Sequence, residues 1–336
     1  MIITPVWHIQ SLEGQGTDKL NEDSIEAGIF NFKIGDIFGY MDLSGRLKYL
    51  DRIDYQIAVA DDKFINYSNL PNTFVIQNLE GEYISSFWTN GYPKYSGNRL
   101  FMVKNDTTGI SEINEQGEAL WSCEFTSLIT SMCITEQYVL IGLLDGRLKL
   151  LNEQGEPVYE VAPGGSRIQV IYGCCINSDG TAITGISGLY PQRFFYIKGP
   201  DFNNSSVDFT DLDSDFRREM LITFGDSEKY VFFEGAGKLN VFDIGQNKLK
   251  EVQAKGSVKG ISEFETMGII SVLSESGEGT ELQVVRLDDK VIYSEMIPGK
   301  DVFMKNVSDS LLIGYLMRNE NGISTTHLLR YDLTEM

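Results

Sequence analysis

Positive charge and histidine are what this sequence has least of. Its 336 residues carry 28 Lys and Arg against 48 Asp and Glu, a formal charge of -20, with two histidines. No basic run is dense enough to follow a phosphate backbone, so nucleic acid is not expected as a partner. The same charge opposes close approach to anionic lipid and leaves the chain able to meet a basic protein. His8 and His327 alone cannot complete a histidine-based metal centre, and they read as independent structural or surface residues. Long apolar runs are missing as well. No stretch of about eighteen apolar residues occurs, so no transmembrane helix is expected. The opening MIITPVWHIQ has neither the basic start nor the apolar core of a secretory signal. A signal or anchor upstream would leave these same residues, and a periplasmic or membrane-tethered extracytoplasmic location is expected ahead of a cytoplasmic one.

Cysteine is scarce too. Cys123, Cys133, Cys174 and Cys175 are too few for a disulfide scaffold and form no CxxC pair. They read as small buried hydrophobes. Neighbouring Cys174 and Cys175 point to opposite faces of a strand, so at most one of them is expected to face a core. Proline is sparse, at 8 against 33 glycines, and apolar residues make up 42% of the chain, which is the composition of a folded, turn-rich protein.

What the chain does have is repetition. Residues 110–121 (ISEINEQGEALW) return as residues 148–159 (LKLLNEQGEPVY). In each, an apolar alternating segment leads into a polar four-residue turn with Gly and then a short return segment, the pattern of an antiparallel hairpin. Earlier copies lie at residues 39–50 and 74–85. The turn glycines Gly45, Gly81, Gly117 and Gly155 are spaced by 36, 36 and 38 residues. Looser copies follow around Gly199, Gly245 and Asp288-Asp289, and the chain ends on a segment, residues 327–336, that reads as a third strand without its return. Another strand pair precedes each hairpin, as in YVLIGLLDGRLKLL, residues 138–151. Units of about 36 to 46 residues made of four strands predict an all-β propeller of antiparallel blades forming one domain over residues 1–336. Eight blades are narrowly favoured over seven. Residues 2–9 are expected to supply the fourth strand of the last blade, joining the chain ends and covering an edge.

Residues 36–160 resemble the PQQ-like, or quinoprotein-like, bacterial β-propeller repeats. The positions are Met41-Asp42 with Gly45, Ile113-Asn114 with Gly117 and Trp121, and Leu151-Asn152 with Gly155 and Tyr159. Ser178-Asp179-Gly180, leading into residues 181–184, is similar to a WD40-like turn, although the Gly-His and Trp-Asp signature is absent. The eight-bladed scaffold of bacterial outer-membrane assembly is a further likeness, from which no binding residue transfers. The resemblance implies the fold and not the quinone cofactor: catalytic quinoproteins are much longer, and Cys174-Cys175 lacks the carboxylates that accompany a catalytic vicinal pair. No cofactor is expected.

Motifs for chemistry do not assemble. Asp211, Asp213 and Asp215 suggest a calcium loop, but Phe216 stands where an EF-hand needs Gly and the closing Glu is absent. A solvated acidic loop, partly balanced by Arg217 and Arg218, fits better. Residues 234–242 lack the Ser or Thr of a phosphate loop, and residues 185–193 lack the nucleophile elbow around Ser187. Two stretches instead carry the aromatic and Arg chemistry of interfaces: SFWTNGYPKY with Trp88, Tyr92 and Tyr95, and SGLYPQRFF with Tyr190, Gln192 and Arg193. The expectation is a non-catalytic interaction or assembly scaffold for an unidentified protein partner. The alternative is a small-ligand or enzymatic site near a central channel.

Overall fold

A computed structural model describes residues 2–9, 28–43, 46–69, 73–199, 201–202, 205–287, 290–307, 309–318 and 324–334. Gly45, Pro200, Asp288 and Asp289 lie outside them. The fold is an all-β, eight-bladed propeller. Helix among the described residues is limited to short turns such as Glu265–Met267. The blades fall into two compact units, residues 1–88 with 258–336 and residues 89–257.

In the first unit, blade 1 comprises three described strands, Ile29–Ile34, Ile37–Asp42 and Leu47–Arg52. Blade 2 has Gln56–Val59, Lys63–Tyr67, Phe74–Asn78 and Tyr83–Phe87, and blade 7 has Ser257–Phe264, Ile269–Ser276, Gly279–Arg286 and Lys290–Ile297. Blade 8 takes Lys300–Val307, Ser310–Arg318 and Ser324–Thr334, and its fourth strand is Ile2–Ile9. That strand pairs antiparallel with the third, Ile2 opposite Thr334 and Ile9 opposite Leu328, with a bulge between Pro5 and Trp7. His8 stands opposite Leu329, while the His327 ring stacks on Tyr315.

The second unit holds blade 3 (Tyr92–Ser96, Arg99–Val103, Gly109–Ile113, Ala119–Glu124) and blade 4 (Ile129–Ile134, Tyr138–Leu143, Leu148–Asn152, Pro157–Val161). It also holds blade 5 (Ile168–Ile176, Ala182–Leu189, Gln192–Lys198, Val207–Leu212) and blade 6 (Ile222–Phe224, Tyr230–Gly235, Lys238–Asp243, Lys248–Gln253).

Second strands are buried along nearly their whole length, without alternation, and within the second unit the sheets of blades 4 and 5 are covered on both faces by their neighbours. Phe101 and Val139 meet between blades 3 and 4, Leu150 and Phe195 between blades 4 and 5, and Phe194 stacks on Phe233 of blade 6 at 4.6 Å. Fourth strands are the exposed ones. Double coverage also corrects the reading of the vicinal cysteines. Cys174 and Cys175 are both buried, because the first strand of blade 5 has the first strands of blades 4 and 6 alongside it.

The repeated turn has a local cause. Asn114 Oδ1 accepts the N–H groups of Gln116 (3.0 Å) and Glu118 (2.9 Å), and its Nδ2 donates to the Glu118 carboxylate. Asn152 does the same with Gln154 and Glu156, and Asn78 with Glu80 and Glu82. Asp42 accepts from the Arg46 N–H in the same way. The Asn side chain is thus a template for the turn, and Gly117 (φ 80°), Gly155 (φ 76°) and Gly81 (φ 77°) provide the left-handed residue that closes it with a bulge.

The glycine has a second task. The aromatic residue of the preceding blade's fourth strand lies on it: Tyr49 on Gly81, where a Cβ would sit 2.8 Å from the ring, and Trp121 on Gly155, where a Cβ would run into the indole. The Trp121 Nε1 donates to Glu112 (2.8 Å), whose buried carboxylate also takes both arms of Arg99. Gly155→Ala combines left-handed strain with displacement of this ring and should cost about 2 kcal/mol or more. Gly97→Ala, at φ 54° with open space around it, should cost only about 1 kcal/mol. Denaturation midpoints check the difference, and equal losses would show that Trp121 does not need the gap.

Candidate functional site

Four large apolar side chains remain exposed at matching places on blades 4 and 5. Leu128 and Ile168 stand at the entry to the two first strands, and Leu144 and Tyr190 stand at the turns between second and third strands. Tyr190 is 56% exposed and Leu144 44%, unlike the buried residues of the strands that carry them.

Backbone contacts hold the four together. The Leu144 N–H donates to Leu128 O (2.9 Å), and the Asp145 N–H to Ser127 Oγ (3.1 Å). Gly146, at φ 84°, lets this turn lie against Gln169 of blade 5, where a Cβ would come within 2.7 Å of the Gln169 Cβ. Ile168 is paired with Leu189, and the Arg167 N–H reaches Tyr190 O (3.3 Å). Arg147 borders the apolar group. It donates to Asp145 (2.6 Å), Glu160 (3.1 Å) and Thr126 (2.7 Å), and its hydrogen bonds hold the Asp145 carboxyl below the usual carboxylate range.

The Tyr190 turn is built with care. Tyr190 has φ 61° and precedes a cis Pro191, and Ser166 Oγ donates to Pro191 O (2.7 Å). Its hydroxyl accepts from Arg217 (2.9 Å). Gln192 is buried, contrary to its expected surface role. Its Nε2 donates to Phe216 O (3.0 Å) and its Oε1 accepts from Ser214 Oγ (2.6 Å), tying residues 213–221 to the hairpin. Arg193 lies over the Phe209 ring at 3.9 Å, pairs with Asp211 (3.0 Å) and donates to Gly164 O (3.2 Å). It therefore holds the framework beneath the exposed Tyr190.

The acidic loop is balanced differently from the sequence expectation. Asp211 is met by Arg193, whereas Arg218 makes a two-armed pair with buried Glu234 (2.6 and 2.8 Å) and Arg217 goes to Tyr190. Asp213 and Asp215 face solvent. Of the other expected stretch, Trp88, in the first unit, is highly exposed. In the second unit Tyr92 is exposed, but Tyr95 is buried, because alternate residues of the Tyr92–Ser96 strand turn inward. Sequence reasoning missed Leu128, Leu144 and Ile168. Their signal is an apolar residue directly after a strand, directly before one or at its first position, where a turn normally places a polar residue.

A family model described as beta-propeller protein matches residues 1–321. A protein of Treponema pallidum (strain Nichols), described as uncharacterized, is 23% identical over 257 residues, which span 76% of this chain and 68% of the relative. The crystal structure of BamB from Moraxella catarrhalis aligns with a TM-score of 0.62 at 14% identity, covering 99% of this chain and all of the other. At that identity the likeness concerns the fold alone.

Gln192→Leu should cost about 1–3 kcal/mol by leaving two partly buried partners without their hydrogen bonds, and should speed tryptic cleavage after Arg217 and Arg218. Tyr190→Ala should leave stability within about 0.5 kcal/mol. Thermal melting with limited proteolysis separates a framing residue from a presented one.

Proposed function

The chain belongs to the β-propeller protein family, and we propose that it serves as a non-catalytic protein-interaction scaffold. The observation that carries this reading is the exposed group of Leu128, Leu144, Ile168 and Tyr190 on two adjoining blades. Apolar side chains held at fixed places on a rigid frame, with an aromatic ring among them and charged pairs around them, have the makeup of an interface core with a polar rim. The occupant that fits is an apolar segment of a protein partner. We further place the repeats with the PQQ-like propellers, without their cofactor, supported by the Trp121 ring docked on Gly155. An extracytoplasmic location belongs to the same proposal.

A second reading, small-ligand binding, has one observation in its favour. In the first unit a groove of about 330 Å³ is lined by Lys33, Lys259 and Lys305 with Asn31 and, among the described residues, no carboxylate, which in so acidic a chain suits a small anion. Lys259 also reaches Glu275 at 3.0 Å, which weakens the field there.

Proximity labelling in the cells that express the protein, with the wild type and a Leu144→Asp, Tyr190→Ala double variant as baits, tests the scaffold. The recovered partner is then titrated against both. The expected result is affinity reduced roughly 10-fold or more by the double change, with melting unaltered. Equal affinities, or tight binding of phosphate or a small carboxylate in titration calorimetry with no stable protein partner, would overturn it.

A further inference from the structure

The sulfurs of Cys133 and Cys175 lie 3.0 Å apart, closer than carbon atoms in ordinary non-bonded contact. Cys133 is in the first strand of blade 4 and Cys175 in the first strand of blade 5, separated by 42 residues of chain. Both thiols are free. The strands are locked in this alignment by the Cys174 N–H donating to Ser131 Oγ (3.2 Å) and the Ile176 N–H donating to the Cys133 sulfur (3.4 Å). Cys174 is occupied elsewhere, packed in the core between blades 4 and 5 near Ser131 and Leu140. Cys123 is on the fourth strand of blade 3, opposite Ile110.

We propose that Cys133 and Cys175 are a redox site that closes to a reversible disulfide, stapling blade 4 to blade 5, when the protein meets a small-molecule disulfide. An approach of about 1 Å brings the sulfurs to bonding distance. The two thiols have unequal roles. Cys133 is the less buried. The hydrogen bond from the Cys175 thiol lowers its pKa below that of a free thiol, and the Ile176 N–H assists, while the same contact and burial raise Cys175 well above. Cys133 thiolate therefore attacks the small disulfide first, forming a mixed disulfide and releasing one thiolate. Cys175 then gives up its proton and attacks the Cys133 sulfur, expelling the second thiolate. Two protein thiols are oxidised and one small disulfide is reduced to two thiols. The bond joins the strands whose entries carry Leu128 and Ile168, so oxidation fixes the spacing of the blades beneath the exposed apolar group.

The test exposes the purified full chain to oxidised glutathione, then unfolds it and alkylates the remaining thiols. The expected product has two alkylatable cysteines in place of four, a cross-link between tryptic peptides 105–147 and 168–193 that fragment-ion mass spectrometry places on Cys133 and Cys175 rather than Cys123 or Cys174, and a melting temperature raised by roughly 5 °C. Dithiothreitol reverses all three. Cys123→Ser leaves the cross-link intact, and Cys133→Ser or Cys175→Ser abolishes it. The wild-type peptide map needs no variant to fold. Four alkylatable cysteines after treatment, stable glutathione adducts without closure, or a cross-link through Cys174 would overturn the proposal.

Discussion

A four-stranded sheet with apolar side chains on both faces cannot be left alone in water, and this double-sided burial organises the protein. The second strands carry nearly unbroken buried runs, such as those of Tyr138–Leu143 and Ala182–Leu189. Each must be covered twice, so blades exist only as neighbours of other blades. The fourth strands, with one edge and much of their surface in water, carry charge and polar residues. Where the last blade would lack such a strand, Ile2–Ile9 supplies it and pairs along Ser324–Thr334. That pairing covers an edge that would otherwise recruit other chains.

The turns transmit the same constraint into residue choice. Asn at the head of the turn satisfies two backbone N–H groups, and Gly three residues on takes the left-handed conformation while leaving room for a ring from the preceding blade. At Gly81 and Gly155 local chemistry and blade packing therefore select the same residue, and the turn NEQGE at residues 114–118 returns unchanged at residues 152–156. At blade 5 the equivalent connection is longer, and Phe202 meets Tyr159 there by ring contact at 5.2 Å. The aromatic partner persists although the turn has changed.

The exposed group on blades 4 and 5 depends on residues that do not belong to it. Gln192 and Arg193 spend their hydrogen bonds and charge on holding residues 213–221 and the Gly164 loop, and Tyr190 is left outside that frame. A site made this way is stiff, so a partner loses little binding energy in ordering it. The Cys133–Cys175 contact lies on the same two first strands and links the redox state of the thiols to the same frame.

The sequence by itself determined the all-β class, the repeat length, the turn residues, the eight units with seven left open, and the pairing of the two chain ends. These follow from local patterns: alternation, turn chemistry and regular spacing of glycine. Only the tertiary structure decided which residues of a strand meet water, because a sheet covered on both faces removes the usual link between alternation and burial. Hence Gln192 and both vicinal cysteines are buried, and the stacking of blades also leaves Leu128, Leu144 and Ile168 exposed at strand entries and turns. The meeting of Cys133 with Cys175 was likewise illegible, since nothing local records a contact between strands 42 residues apart. It arises from the stacking of one blade on the next.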